Sequence, residues 1–356
     1  MRDRKMPDKL PRRPLLPGLY HVVEMGADKV QIANAGRSVV LSGPGLAERL
    51  TPFLQALNGT KTLDELHSQF AGLAPQVLHA LQEKGMLTEA SEVEDRPEAS
   101  PTMTALGLPG PPSPPRVAEM LAKSSVFLLG CGPVGCTVAV LLGKAGLGRL
   151  VLADTDAVDT RAVALCPVLS PAHDRRPFAE VARSLCLELT ATLVEVVGNP
   201  EEHLLEGADL AVIECGYESS GQQNRVADAC LQSGIPYLLY TQDALEVIIG
   251  PLVAKGGRPC HHCAETRRMA NIARPKEYAA YQQHRASAAP RPDAFLAAHC
   301  ATVAGIVATE ILKYLTGADP MIGAVTIMDL LRTETRKEEI FPIPGCIGCQ
   351  LPESDG

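Results

Sequence analysis

Eleven cysteines stand in the chain, and four of them fall into two C-x-x-C pairs: Cys260-His261-His262-Cys263 and Cys346-Ile347-Gly348-Cys349. Two thiolates at that spacing can grip one ion from a single turn. Two such pairs complete the four-sulfur tetrahedral set of structural zinc. Pro259 and Gly345 sit just before the pairs and supply turns. The stretch between the pairs, 264–345, is too long for a local zinc ribbon. It fits a clip that ties the C-terminus back onto the preceding sheet domain. A closed site of this kind has no open ligand position, so the expected Zn2+ is structural and not catalytic. A histidine ligand, His261 or His262, is the alternative.

The second constellation is Gly130-Cys131-Gly132-Pro133-Val134-Gly135, a G-x-G-x-x-G run between an apolar strand and an apolar helix. Gly130 permits a tight turn, Gly132 lets a phosphate approach the backbone, and Gly135 lets helix and strand pack closely. Asp154 ends the next strand, one helix beyond the loop, where an acidic side chain can take ribose hydroxyls. The context predicts a nucleotide-binding architecture. Occupancy by a nucleotide is a separate question, since the turn alone would keep these glycines.

Two further features carry weaker signals. His299-Cys300 precedes the last apolar helix. A Cys beside a His can be an activated nucleophile, but an ordinary half-buried thiol at a helix start is the favoured reading. Residues 265–292 hold Arg267, Arg268, Arg274, Lys276, Arg285 and Arg291 among Pro and Ala, and read as a long loop, functional or merely solvated.

Strands and helices must hold these groups. Residues 125–129, 149–153, 211–213 and 237–240 read as buried strands alternating with helical sequence such as 134–146, which predicts a Rossmann-like, doubly wound α/β sheet. A final helix over 303–315 ends at Gly317, and a last strand follows over 325–330. Residues 88–116 are acidic and then Pro-rich, a semi-rigid spacer. Before it, short strands at 19–25, 28–34 and 37–42 precede helices at 45–57, from Thr62, and at 75–85. Thr62-x-x-Glu65 is a capping box. That order predicts a small winged-helix-like (α+β) domain. The expected division is an N-terminal arm (1–17), the small domain (18–90), a linker (91–116) and the α/β domain with its zinc clip (117–350).

The chain has 356 residues, 46% hydrophobic and 21% charged, with a net charge of −8, 4% aromatics and no Trp. This is a globular composition. The acidic balance and scarce aromatics argue against nucleic acid as a partner. No apolar run reaches the ~18–20 residues of a membrane span. Residues 1–18 are basic without an apolar core, so no signal or transit peptide is expected, and a cytoplasmic location with reduced thiols follows.

Residues 117–350 resemble the ThiF/MoeB/HesA superfamily of ubiquitin-activating-like proteins: VFLLGCGPVG, LVLADTDAVD, CHHC, ATEILKYLTG and GCIGC occur in that order. The resemblance implies binding of ATP and magnesium, adenylation of a carboxylate on a small protein or peptide, and a homodimer. LTPFLQALNGTKTLDELHSQF with VLHALQEKGMLTEA resembles the PqqD-like recognition element of ribosomal peptide natural-product (RiPP) pathways. Together the halves resemble the ThiF-like partners of azoline- and thiopeptide-forming cyclodehydratases. This implies that a precursor leader peptide adds as a strand beside the third strand (Val39, Val40, Leu41) and third helix (Val77, Leu81).

The chain departs from that family's adenylation pattern. An Asn, an Arg-Gln pair and a Lys are expected after Asp-x-Asp-x-Val. Laid without gaps from Asp154, Asp156 and Val158, those positions carry Ala162, Leu165, Cys166 and Phe178. The magnesium aspartate falls near Tyr217 or Glu218. The main expectation is therefore a scaffold with no catalytic residues that binds the leader peptide for a separate modifying enzyme, with ATP and Mg2+ doubtful. The alternative is an active ATP-dependent adenylating enzyme drawing on Arg161, Arg175 or Arg176. A DNA-binding regulator ranks last, because helix 75–85 offers His79, Glu83 and Lys84 but no Arg.

Overall fold

The computed structural model describes residues 10–16, 20–34, 38–84, 86–90, 114–198, 207–215, 220–243, 245–287 and 295–349. The chain divides into two compact units, Met1–Met120 and Leu121–Gly356.

In the first unit a three-stranded antiparallel meander, β2 (His21–Glu24), β3 (Lys29–Ala33) and β4 (Ser38–Ser42), runs in the order β2-β3-β4. A short ribbon pairs β1 (Pro14–Leu15) with β5 (Thr88–Glu89). Three helices follow the meander: α1 (Leu46–Ala56), α2 (Leu63–Gln69) and α3 (Ala74–Glu83). The expected strands-then-helices order is present. At the start of α2, Glu65 donates its N–H to Thr62 Oγ1 at 3.3 Å, and Thr62 donates its N–H to Glu65 Oε2 at 2.7 Å. This capping box satisfies two donors that a helix start otherwise leaves open. Alternation in β3 turns Val30 and Ile32 inward, where Leu50, Phe53, Leu66, Leu78 and Leu81 meet them. Phe53 and Phe70 pack edge to face, with ring centroids 5.2 Å apart.

A helix, α4 (Pro114–Lys123), begins inside the stretch read as linker and leads into the second unit; residues 91–113 lie outside the described residues. The second unit is built on an eight-stranded sheet in the order β13-β12-β11-β10-β9-β6-β7-β8. Its members are β6 (Ser125–Leu129), β7 (Arg149–Ala153), β8 (Leu193–Val196), β9 (Leu210–Glu214), β10 (Tyr237–Asp243), β11 (Glu246–Val253), β12 (Ala324–Asp329) and β13 (Glu334–Glu339). The run from β10 to β8 is parallel, and β11, β12 and β13 extend it antiparallel. β6 is buried along its whole length, as a central parallel strand covered on both faces should be. The helices are α5 (Pro133–Lys144), α6 (Thr160–Leu165), α7 (Phe178–Leu189), α8 (Ser220–Gln232), α9 (His261–Ala270), α10 (Pro275–Ser287) and α11 (Ala297–Thr316). α5 is apolar on nearly every side because α7 and α11 both pack along it.

The chain steps outward from β6 to β7 and β8, then returns to β6's other side with β9. This reversal opens a crevice at the C-terminal ends of β6 and β9, the place where open α/β sheets hold ligands.

Three expectations need correction. Residues 265–292 are largely helical, in α9 and α10, although 288–294 lie outside the described residues. α11 starts at Ala297, well before the expected start at Val303, so Cys300 lies within it. The strands β8, β11 and β13 have no counterpart among the expected elements.

Candidate functional site

The glycine loop forms the floor of the crevice. Gly130 has φ of +95° and donates its N–H to Ala153 O at 3.0 Å. A Cβ on Gly135 would lie 2.1 Å from Gly130 O, so that glycine answers to the packing of helix on strand. Gly132 differs. Its backbone (φ −54°, ψ −169°) suits any residue, and a Cβ there would meet only Glu214 Oε2 at 3.6 Å and Oε1 at 4.0 Å. The chain itself does not demand a glycine at 132. The space fits a ligand phosphate approaching the start of α5.

Asp154 follows β7 beside this loop. Its Oδ2 accepts the Cys131 N–H at 2.5 Å and its Oδ1 accepts the Asp156 N–H at 2.8 Å. Burial raises its carboxyl above the usual range, and those two N–H groups pull it back down. The sequence pattern does not reveal Glu214, which ends β9 and packs under the loop with Cβ 2.7 Å from where a Gly130 Cβ would stand. Burial pushes its carboxyl up to about 7, opposed by the Tyr240 hydroxyl and aided by Asp154. No local motif marks Glu214; only the pairing of β6 with β9 brings it to the loop.

The folded carboxyl of Glu214 thus sits above its ordinary 4.5. Between those two values the folded state holds a proton that the unfolded chain has lost. Its contribution to stability is full at low pH and declines as pH rises to about 7. From pH 5 to pH 8 the wild type is expected to lose about 2 kcal/mol more stability than Glu214→Gln. Urea melts of both proteins at both pH values check this; parallel pH dependence would refute it.

The positions where the resemblance expects Asn, Arg, Gln and Lys lie on α6, just after it and at the start of α7. Ala162 is buried, Leu165 is half-buried, and Phe178 is 7% exposed at the start of α7. Cys166 Sγ lies 3.2 Å from Pro133 O and 3.5 Å from Thr137 Oγ1, and Cys300 Sγ lies 3.8 Å from the same hydroxyl. A hydrogen bond from Cys300 lowers the Cys166 thiol to about 6 and raises that of Cys300. Cys300 is wholly buried within α11, deeper than the half-buried thiol expected at a helix start. Arg175 is 93% exposed beside Asp174, and Arg176 donates to Ser184 Oγ at 3.2 Å. Tyr217 and Glu218 lie outside the described residues.

The four cysteines of the two knuckles converge. Sulfur separations are 4.0 Å for Cys260–Cys263, 3.7 Å for Cys260–Cys346, 3.5 Å for Cys260–Cys349 and 3.4 Å for Cys263–Cys349. Four thiolates about 2.3 Å from one ion stand about 3.8 Å apart, so the set fits a tetrahedral metal. Gly348 is required here, since a Cβ would lie 2.5 Å from His262 Cδ2 and 2.9 Å from Cys260 Sγ. The Arg258 guanidinium donates to Cys349 O at 2.9 and 3.3 Å, and Arg267 Nε donates to Phe341 O at 2.6 Å. Arg268 pairs with Glu265 at 2.7 Å. Arg267 therefore helps fasten the segment that leads into the second knuckle, and neither Arg267 nor Arg268 belongs to a loop. The Nε2 atoms of His261 and His262 lie near Asp228, and His261 Nδ1 meets the Tyr237 hydroxyl, so the histidine alternative is not favoured.

In the first unit β4 is a sheet edge. Val40 is 50% exposed, while Val39 and Leu41 pack partly against the core. Val77 and Leu81 do not wall a groove: at 4% and 0% exposure they fill the core beneath the sheet. The apolar stripe of α3 is consumed by its own unit.

Comparison with known proteins places this geometry. E. coli molybdopterin-synthase adenylyltransferase is 24% identical over 240 residues, covering 65% of this chain and 89% of its own. The mouse adenylyltransferase and sulfurtransferase MOCS3 is 30% identical over 154 residues, but the match spans 41% of this chain and only 33% of that protein. Among solved structures, E. coli MccB superposes with TM-score 0.76 at 16% identity, covering 94% of this chain and 98% of MccB. One MccB structure is that of a microcin C7 biosynthetic enzyme in complex with N-formylated MccA. PaaA superposes with TM-score 0.69 at 19% identity over 92% of this chain and all of PaaA. At these identities the structural likenesses establish the fold. The ThiF family profile matches residues 108–345, and with it the chain belongs to the ThiF family.

Proposed function

We propose that this protein is a non-catalytic ThiF-family member that binds the leader segment of a ribosomally made precursor peptide and presents it to a separate modifying enzyme, such as a cyclodehydratase. The observation that carries the reading is which side chains stand where the resemblance expects triphosphate-binding groups. The carboxyl groups of Asp154 and Glu214 stand against the glycine loop. The positions where the resemblance expects Asn, Arg, Gln and Lys hold Ala162, Leu165, Cys166 and Phe178. The cradle at Gly132 admits a phosphate, but this set does not fit a magnesium-bound triphosphate, whose charge needs cations.

The edge of β4, unpaired among the described residues, supports peptide capture by strand addition. Main-chain bonds along an edge supply affinity, and exposed side chains such as Val40 supply selectivity. The clip is proposed to hold zinc, as a closed four-thiolate site does, and to serve stability alone. All 11 cysteines are unpaired, which suits a reducing, cytoplasmic setting. The second reading, an active adenylating enzyme, draws support from the adenylyltransferase relatives and from Asp154.

Val40→Asp puts a charge on the edge without disturbing the core. It is expected to weaken binding of a labelled leader peptide to the full-length chain at least tenfold, about 1.4 kcal/mol. Fluorescence anisotropy measures this. Undiminished affinity in Val40→Asp and in a chain lacking residues 1–90 would refute leader capture by the first unit.

A further inference from the structure

Beside the thiolate clip lies a group of side chains that the clip does not use. Asp228 on α8 reaches toward His261 and His262 at the start of α9. Its Oδ1 is 2.7 Å from His262 Nε2 and 3.2 Å from His261 Nε2. The two ring nitrogens and the carboxylate oxygen all lie within 4.8 Å of one another. The rings lie 4.1 Å apart, tilted by 36°.

His261 is the informative member. It is 7% exposed, and among the described residues its Nε2 has no aligned hydrogen-bond partner despite the nearby carboxylate. A buried ring nitrogen without a partner is costly and rare. Its other nitrogen, Nδ1, is held by the buried Tyr237 hydroxyl at 2.6 Å. A hydrogen bond at one ring nitrogen, leaving the other free and aimed, is how proteins orient a metal-ligating histidine.

We propose that Asp228, His261 and His262 form a second divalent-metal site, distinct from the four-cysteine clip, that takes a borderline ion such as Zn2+ and leaves one position open. Imidazole and carboxylate donors sit about 2.0–2.2 Å from such an ion, which places tetrahedral donors roughly 3.3 Å apart. The observed 2.7 and 3.2 Å need only small adjustment. Asp228 and His262 keep about a third of their side-chain surface in solvent, at 37% and 34%, so the ion is reached from outside and its fourth ligand is water or an incoming group. Nitrogen and oxygen donors set this site apart from the sulfur-only clip.

The test uses the full-length chain with its clip loaded by one equivalent of zinc, titrated with Co2+. One further equivalent is expected to bind, with weak visible ligand-field absorption and no thiolate-to-cobalt charge-transfer band. Asp228→Asn and His262→Gln are each expected to keep the clip zinc and lose the Co2+ equivalent. The retained zinc reports that the variants fold. Absence of Co2+ binding in the wild type would overturn the proposal and leave a hydrogen-bonded His–Asp–His group. A charge-transfer band on Co2+ binding would overturn it too, as would binding that survives both substitutions.

Discussion

Cys260→Ser is expected to lower the melting temperature of this protein by roughly 10 °C or more, and Cys346→Ser to do the same. The four sulfurs come from two segments far apart in the sequence, 260–263 and 346–349, and they share one small apolar cluster with Ile340. The cluster is small, so a metal held by the four sulfurs is expected to fasten the C-terminal segment. Structural zinc contributes about 10–16 kcal/mol in isolated fingers, where it makes the whole fold. Here the sheet has its own core, so a smaller share, about 4 kcal/mol, is expected. For a unit of this size each kcal/mol shifts the melting point about 2–4 °C. Because the four thiolates act as one unit, the double variant should be no worse than either single one. Thermal melts with and without a strong chelator, followed by zinc addition, check this. A melting point indifferent to chelation and to Cys260→Ser would show that the thiols hold nothing.

How far the sequence speaks depends on the range of the interaction that decides each feature. The glycine loop and Asp154 are legible because strand, turn, helix and next strand follow one another directly and each residue's steric role is local. The clip is legible because thiol chemistry leaves few alternatives. Glu214 is not, because it reaches the loop only through the β6–β9 pairing. β13, Glu334–Glu339, is polar and exposed along its whole length, so it carries no alternation; its partner β12 makes it a strand. β11 hides Gly250-Pro251 in its middle, which reads as a turn signal. α10 has polar residues on every side and so no amphipathic signature. Val77 and Leu81 show the limit of helical spacing. It finds the buried stripe of α3 but not whether that stripe faces its own core or a partner.

The second large effect concerns adenylation. Forming an acyl-adenylate brings a carboxylate against a triphosphate and expels pyrophosphate. Cationic side chains and magnesium must offset the repulsion, and losing one such contact costs about 10²–10³ in rate. Leu165 and Phe178 replace two cations that the resemblance expects. The losses need not multiply, but together they should leave the reaction near its uncatalysed rate.

Whether this protein adenylates a peptide is decided by pyrophosphate exchange of the purified full-length chain with ATP, magnesium and its cognate precursor. Background exchange, the same in the wild type and in Asp154→Ala, is the predicted result. Robust exchange that Asp154→Ala abolishes would make this protein an adenylating enzyme and overturn the scaffold reading.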